Sequence, residues 1–132
     1  MDIGLRKRDP AGRLRKSKTY RKAFAVVRSS SEIVKTIDGL CIDDRLTFYQ
    51  FSILFVLNMH GRGLSLMELS DELPHRAPDS SRLVQRLADK GMVIKTHGLE
   101  DARIVNITLS PVGKETINRL IPAVEEAIGL LL

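Results

Sequence analysis

The stretch from Ser65 to Gly113 constrains the fold most, because an amphipathic helix in it is followed directly by a short β-hairpin. In a helix spanning 77–87, Leu83, Val84 and Leu87 fall on one stripe. The opposite stripe carries Ser81, Arg82, Gln85 and Arg86. We therefore predict that the apolar stripe packs on a core and leaves a polar stripe in solvent.

The polar stripe is not the mixture of Glu and Lys that merely solvates a helix. Guanidinium groups suit guanine edges and phosphates, and amides and hydroxyls can hydrogen-bond to other base edges. Arg76 and Asp79 at the start of the helix belong to the same candidate surface. Ser80 is expected to face inward and pack. The pattern predicts a surface that binds nucleic acid.

A second, shorter helix is predicted immediately before this one. Ser65 and Glu68 have capping-box spacing, and Leu66, Leu69 and Leu73 form an inward stripe. Pro78 fits the first turn of the following helix, where its missing N–H has no consequence. Two short helices joined by a few residues, the second carrying the polar stripe, are typical of a helix-turn-helix.

After Gly91 the sequence predicts a hairpin of two strands, 92–96 and 104–109. The turn between them contains Gly98, Asp101 and Arg103. Lys95 and His97 are expected to reach phosphates beside this hairpin. A helix-turn-helix followed by a hairpin with a basic tip predicts a winged helix-turn-helix, an α+β fold that is mainly α with a small β-hairpin wing.

Helices are also predicted on both sides of this region. Apolar spacing favours a helix over 18–38 with Gly39 as its C′ residue, and a largely apolar helix that starts at Thr47 and ends near Asn58. Ser110-Pro111 starts a last helix, in which Pro122 is expected to produce a kink or a split. The apolar residues of this last helix form a seam for another helix, namely Ile117, Leu120, Val124, Ala127 and Leu131.

Charge is concentrated at the N-terminus of this 132-residue chain. Residues 1–22 contain nine Lys or Arg and two Asp, whereas the whole chain has a net charge of +5. Residues 1–17 are predicted to be a flexible basic arm, either a solvated tail or an arm that lies along DNA. No secretory signal or membrane span is recognisable, and a single cysteine fits a reducing cytoplasm, so a cytoplasmic protein is expected.

The sequence lacks the common motifs of enzymes and of metal sites. The sequence contains no GxSxG motif, no phosphate-binding glycine loop, and no CxxC or HExxH spacing, so we predict neither an enzyme nor a cofactor or metal site. His60, His75 and His97 are scattered. Cys41 could serve as a redox sensor, although a lone intracellular cysteine is more often inert. Asp43-Asp44 is interpreted as a solvated loop.

The stretch from Leu46 to Gly113 resembles the MarR family of bacterial transcription regulators without a gap. The most specific match is Asp101-x-Arg103 followed by Ile107-x-Leu109-Ser110 and Gly113, which is similar to the family's wing signature. The other matches are Leu46-Thr47, Gln50, Leu54, Leu64, Leu66, Glu68-Leu69, Leu73, Ser81-Arg82-Leu83-Val84, Leu87 and Lys90-Gly91-Met92-Val93. Together they cover about half of the chain in the right order.

The resemblance implies a homodimer that binds double-stranded DNA at a pseudo-palindromic operator, usually as a repressor relieved by a small ligand or an oxidant. It divides residues 18–132 into a winged helix-turn-helix (about 46–110) and N- and C-terminal dimerisation helices (about 18–38 and 111–132). It also implies that Arg103 enters the minor groove and that Asp101 supports it. The sequence departs from the family in its basic arm and in stopping at Leu132, where members usually continue through a further helix.

Two alternatives to sequence-specific DNA binding remain open, one for single arginines and one for the whole domain. Arg103 could be an exposed arginine at a strand end that only pairs with Asp101, and Arg82 and Arg86 could be structural surface charges. The domain could also be a winged-helix module that binds a protein partner and uses its basic arm for nonspecific attachment to nucleic acid. The predicted DNA-binding residues are Arg76, Asp79, Ser81, Arg82, Gln85, Arg86, Lys95 and Arg103.

Overall fold

A computed structural model describes residues 18–74 and 79–132. The described part contains five α-helices, one short 3-10 helix and three strands. In chain order they are α1 (Lys18–Leu40), the 3-10 helix (Ile42–Asp44), α2 (Phe48–His60), β1 (Leu64–Ser65), α3 (Leu66–Glu72), α4 (Ser80–Asp89), β2 (Val93–His97), β3 (Val105–Leu109) and α5 (Pro111–Gly129). The arm over 1–17 and residues 75–78, which include Arg76 and Pro78, lie outside the described residues.

Helix α2 is the centre of the core, as its nearly all-apolar sequence predicts. Ile53 and Leu54 are fully buried, and α1, α3, α4 and α5 all pack against α2. The predicted capping box is present, because Thr47 Oγ1 accepts from the Gln50 N–H at 3.3 Å and Gln50 Oε1 accepts from the Thr47 N–H at 3.1 Å. The helix ends at His60, two residues later than predicted, and Gly61 caps it with a φ of 64°.

Loss of this cap should have a measurable cost. We expect Thr47→Ala to lower the free energy of unfolding by about 1 kcal/mol, because the Gln50 N–H loses its acceptor at a helix end. Urea unfolding measures the change, and Thr19→Ala on the exposed first turn of α1 is the control, with no expected loss. Equal stability of the two variants would contradict the role of the cap.

The sheet has one strand more than the predicted hairpin. Its order is β1-β3-β2 with both neighbouring pairs antiparallel, and β1 places Leu64 opposite Ile107. A two-residue strand is too short for alternation to reveal it, and it exists only because β3 offers its other edge. This third strand ties the loop after α2 to the wing, so the hairpin is anchored in the core by Ile107.

Helix α1 is longer than predicted and only partly covered. It continues through Gly39 to Leu40, and Gly39 does not adopt the positive φ of a C′ residue, so that prediction was wrong. Near its end Ile37 is buried in the core, but Phe24 and Val27 in its first half are 51% and 66% exposed. Within this chain, the apolar stripe of α1 is therefore buried only toward the C-terminal end of the helix.

Helix α5 starts as predicted, with Ser110 as N-cap and Pro111 at its first position. It is not split at Pro122, since the helix runs unbroken from Pro111 to Gly129. Ile117, Leu120 and Val124 of the predicted seam are buried, and α1 and α2 both pack on α5. The first part of the seam therefore packs within this chain, whereas Leu131 beyond the helix is 39% exposed.

Candidate nucleic-acid interface

Helices α3 and α4 form the helix-turn-helix, and α4 presents two unlike faces. Its inward face consists of Ser80, Val84 and Leu87, all buried, as the sequence predicts. The residues predicted to contact DNA on the other face are all exposed, as is the N-cap residue Asp79, and they are Ser81, Arg82, Gln85 and Arg86. Helix α4 thus turns two guanidinium groups, an amide and a hydroxyl toward solvent on one side.

The wing carries an arginine that a carboxylate holds in one orientation. Arg103 donates from Nε to Asp101 Oδ1 at 3.0 Å and from Nη2 to Oδ2 at 3.1 Å. The Arg103 backbone N–H donates to the same Oδ1 at 3.0 Å. These hydrogen bonds lower the pKa of Asp101 and raise that of Arg103. With its side chain 91% exposed, Arg103 is a fixed cation that projects from the wing.

Gln85 links the exposed face of α4 to the wing, which the sequence did not reveal. Its Oε1 accepts from Lys95 Nζ on β2 at 2.8 Å, and its Nε2 donates to Asp89 at 2.9 Å. Lys95 of the wing therefore lies beside α4, and its predicted contact with phosphates stays a prediction. His97 contacts the wing turn, where its Nδ1 is 2.7 Å from the Ala102 carbonyl oxygen. Spacing along one element cannot predict contacts between α4 and β2.

The comparisons with known proteins agree with this geometry. A model of the MarR family matches residues 46–104, which run from the residue before Thr47 to the second wing strand. The HTH-type transcriptional regulator SarU of Staphylococcus aureus is 33% identical over 102 residues, covering 76% of this chain. The chain belongs to the MarR family. It spans 40% of the length of SarU.

Solved structures of MarR-family members have the same fold. A MarR transcription factor from Planctomyces limnophilus superposes with a TM-score of 0.72 at 26% identity, covering 88% of this chain and 87% of that one. A MarR variant from E. coli complexed with operator DNA gives a TM-score of 0.66 at 18% identity, covering 80% and 78% of the two chains. The predicted winged helix-turn-helix is confirmed, and the family is one of transcription regulators and not of enzymes.

An ion pair in this MarR-family chain corrects the interpretation of Asp43-Asp44 as a solvated loop. Asp44 Oδ1 accepts from Arg119 Nη2 at 2.6 Å, and the Asp44 side chain is only 17% exposed. The pair raises the pKa of Arg119 and joins the loop after α1 to α5. The neighbouring Arg45 carbonyl oxygen accepts from Lys90 Nζ, which joins the same loop to the end of α4.

Cys41 lacks the environment of a sensing thiol. It is fully buried and is the N-cap residue of the 3-10 helix. Burial, together with the charges of Asp44 and Asp38, raises the pKa of its thiol to about 11. A reactive cysteine needs a lowered pKa and access to solvent, so the environment of Cys41 argues against the redox interpretation.

Alkylation tests this assignment directly. At near-neutral pH, we expect iodoacetamide to label Cys41 of the folded chain at least about tenfold more slowly than the unfolded chain in guanidinium, because the buried thiol is protonated. Equal labelling rates in the two states would contradict the burial of the thiol.

The raised pKa of Cys41 also makes stability depend on pH. Its contribution to the stability of the folded state is complete below about pH 9, the ordinary value of the thiol, and is lost as the pH rises through about 11.

The described residues contain neither a cluster of metal ligands nor a helix that could span a membrane. Within residues 18–74 and 79–132, no three His, Cys, Asp or Glu side chains lie close enough together to hold a metal ion. None of the helices described for this chain combines the length and the apolar character that crossing a membrane requires.

Proposed function

We propose that this protein is a sequence-specific DNA-binding transcription regulator of the bacterial cytoplasm. The observation that carries the proposal is the pairing of an exposed polar face on α4 with the fixed, projecting Arg103 of the adjacent wing. A helix of this kind fits the major groove, where base edges present distinct donors and acceptors. A narrow minor groove beside it concentrates negative potential, which attracts an arginine.

The proposed contacts come from two elements, helix α4 and the wing. Arg82 and Arg86 have the chemistry for guanine edges or phosphates, and Ser81 and Gln85 for other polar groups. Lys95 contributes a cation next to Gln85. Arg103 supplies the minor-groove contact. The full proposed set retains the sequence-based candidates and consists of Arg76, Asp79, Ser81, Arg82, Gln85, Arg86, Lys95 and Arg103, with Asp101 in support.

We further propose that the chain acts as a homodimer. The first half of α1 leaves Phe24, Val26 and Val27 more than half exposed, and Leu130 and Leu132 after α5 are also exposed. Burying these side chains against a second copy would remove apolar surface from water. A two-fold dimer with α4 helices about 34 Å apart would contact two successive major grooves and double the sequence that is read.

The regulatory part of the proposal is repression relieved by a small ligand. It is supported by an apolar cavity of about 510 Å³ between α1, α2 and α5 that reaches the end of α3. A ligand that binds better to a geometry unable to match the operator would shift the population away from the DNA-binding state. The cavity touches α3, so a ligand there could alter the position of the helix-turn-helix.

Selection of bound duplexes from a random-sequence pool, followed by sequencing, tests the proposed function. The selection is made at near-physiological salt, since nonspecific phosphate binding weakens steeply as salt rises. We expect enrichment of a pseudo-palindrome with half-sites about one helical turn apart. Binding without any enriched sequence would reject readout by α4 and favour a winged-helix module that binds a protein partner.

A further inference from the structure

Aromatic side chains form much of the wall of the cavity that supports the proposed ligand binding. Helix α2 contributes three phenylalanines to its wall, Phe48, Phe51 and Phe55, and Met59 lies one turn further along. The rings of Phe51 and Phe55 are stacked, with centroids 6.1 Å apart and planes 19° from parallel. Aromatic rings carry partial negative charge on their faces, so a cluster of them attracts cations as well as apolar groups.

One charged side chain lines this cavity, and it is acidic. Glu72, the last residue of α3, lies at the rim with Pro74. The described lining residues include no Lys, Arg or His. His60 contacts Glu72 through Nε2 and Oε2, and the Glu72 side chain remains 43% exposed. The carboxylate is therefore accessible from solvent at the mouth of an otherwise apolar, aromatic space.

We propose that the cavity binds an apolar organic cation, such as a quaternary ammonium or phosphonium ion. This inference rests on the proposed ligand-relieved function and specifies the class of ligand. The hydrophobic groups of the cation would displace water from Phe48, Phe51 and Phe55, and its charge would lie near these rings and Glu72. The combination of aromatic rings and a carboxylate matches both properties of such a ligand.

The same lining is less suited to apolar anions and to neutral apolar molecules. An aromatic carboxylate would lose its hydration on entering an apolar space and would face Glu72, which has the same charge. A neutral hydrocarbon would fill the cavity but gain nothing from the carboxylate. Charge is thus the property by which the cavity discriminates among molecules of equal size.

The position of Glu72 connects the cavity to the DNA-binding surface. The His60–Glu72 contact joins the end of α2 to the end of α3, just before the segment that leads to α4. A second contact on the same side, Arg62 Nη2 to Glu68 Oε2 at 3.3 Å, lies one turn earlier on α3. A cation that competes with His60 for Glu72 would loosen the later of these two contacts and weaken DNA binding.

Tetraphenylphosphonium and tetraphenylborate provide the test, because they have nearly the same size and shape but opposite charge. Calorimetric titration of the full chain should show tetraphenylphosphonium binding at least about tenfold more tightly than tetraphenylborate. Glu72→Gln should remove most of that preference, whereas Asp71→Asn, the same change of charge on the adjacent exposed residue, should leave it intact. Phe55→Leu should weaken binding of the phosphonium ion.

Equal binding of the two ions, tighter binding of the borate, or a preference unchanged by Glu72→Gln would overturn the inference. Binding to the selected duplex is measured in parallel, with and without tetraphenylphosphonium. Wild-type protein that binds the duplex specifically but shows no preference for the phosphonium ion rejects the ligand class and leaves the regulator standing. Protein that enriches no sequence rejects the regulator itself, whatever the cavity binds.

Discussion

Arg103→Ala is expected to weaken specific binding to the selected duplex by about tenfold or more, the largest loss of any single wing substitution. The side chain projects 91% exposed and is held by two hydrogen bonds from its guanidinium group to Asp101. Because this orientation exists before DNA arrives, binding does not need to order a long, flexible side chain. Fluorescence anisotropy with the selected duplex measures the loss.

Two further variants separate this role from a simple change of charge. Arg119→Ala removes another exposed, ion-paired arginine, from α5 and not from the candidate interface, and should leave DNA affinity nearly unchanged. Asp101→Asn keeps Arg103 but weakens its support, so a smaller loss is expected. A loss for Arg103→Ala no larger than that for Arg119→Ala would mean that Arg103 is only a strand-end partner of Asp101.

Gly113→Ala is expected to cause the largest loss of stability, about 3 kcal/mol or more. A Cβ atom on Gly113 would lie 1.9 Å from the carbonyl oxygen of Met92 and 2.9 Å from its carbonyl carbon. Both contacts involve backbone at the start of the wing, so no flexible side chain can move aside. The first turn of α5 would have to separate from the strand, and the shift in urea midpoint measures the cost.

Gly129→Ala is the matched control, because it makes the same substitution in the same helix. Its added Cβ would meet nothing within 4 Å. We expect a change between neutral and a gain of about 0.5 kcal/mol, since alanine restricts the unfolded chain more than glycine does. Similar stability of the Gly113 and Gly129 variants would contradict the close contact between the first turn of α5 and the Met92 backbone.

The local sequence determined much of this protein. Both capping boxes, at Thr47 and Ser65, form as predicted, since the side chain and the N–H that it accepts from lie three residues apart. Helix α4 buries and exposes the residues that its spacing assigns, and Asp101 and Arg103 pair across two positions. These features depend on neighbours along one element, and the exposed polar face that supports the proposed function is among them.

Tertiary structure decided what depends on residues distant in the sequence. Strand β1 exists because Leu64 meets Ile107, Asp44 is paired because Arg119 of α5 lies beside it, and Gln85 turns to Lys95 across the gap between α4 and the wing. The cavity likewise needs Glu72 from α3 and phenylalanines from α2. Periodicity reports which side of an element is buried, but only the packed chain determines which partner each polar group finds.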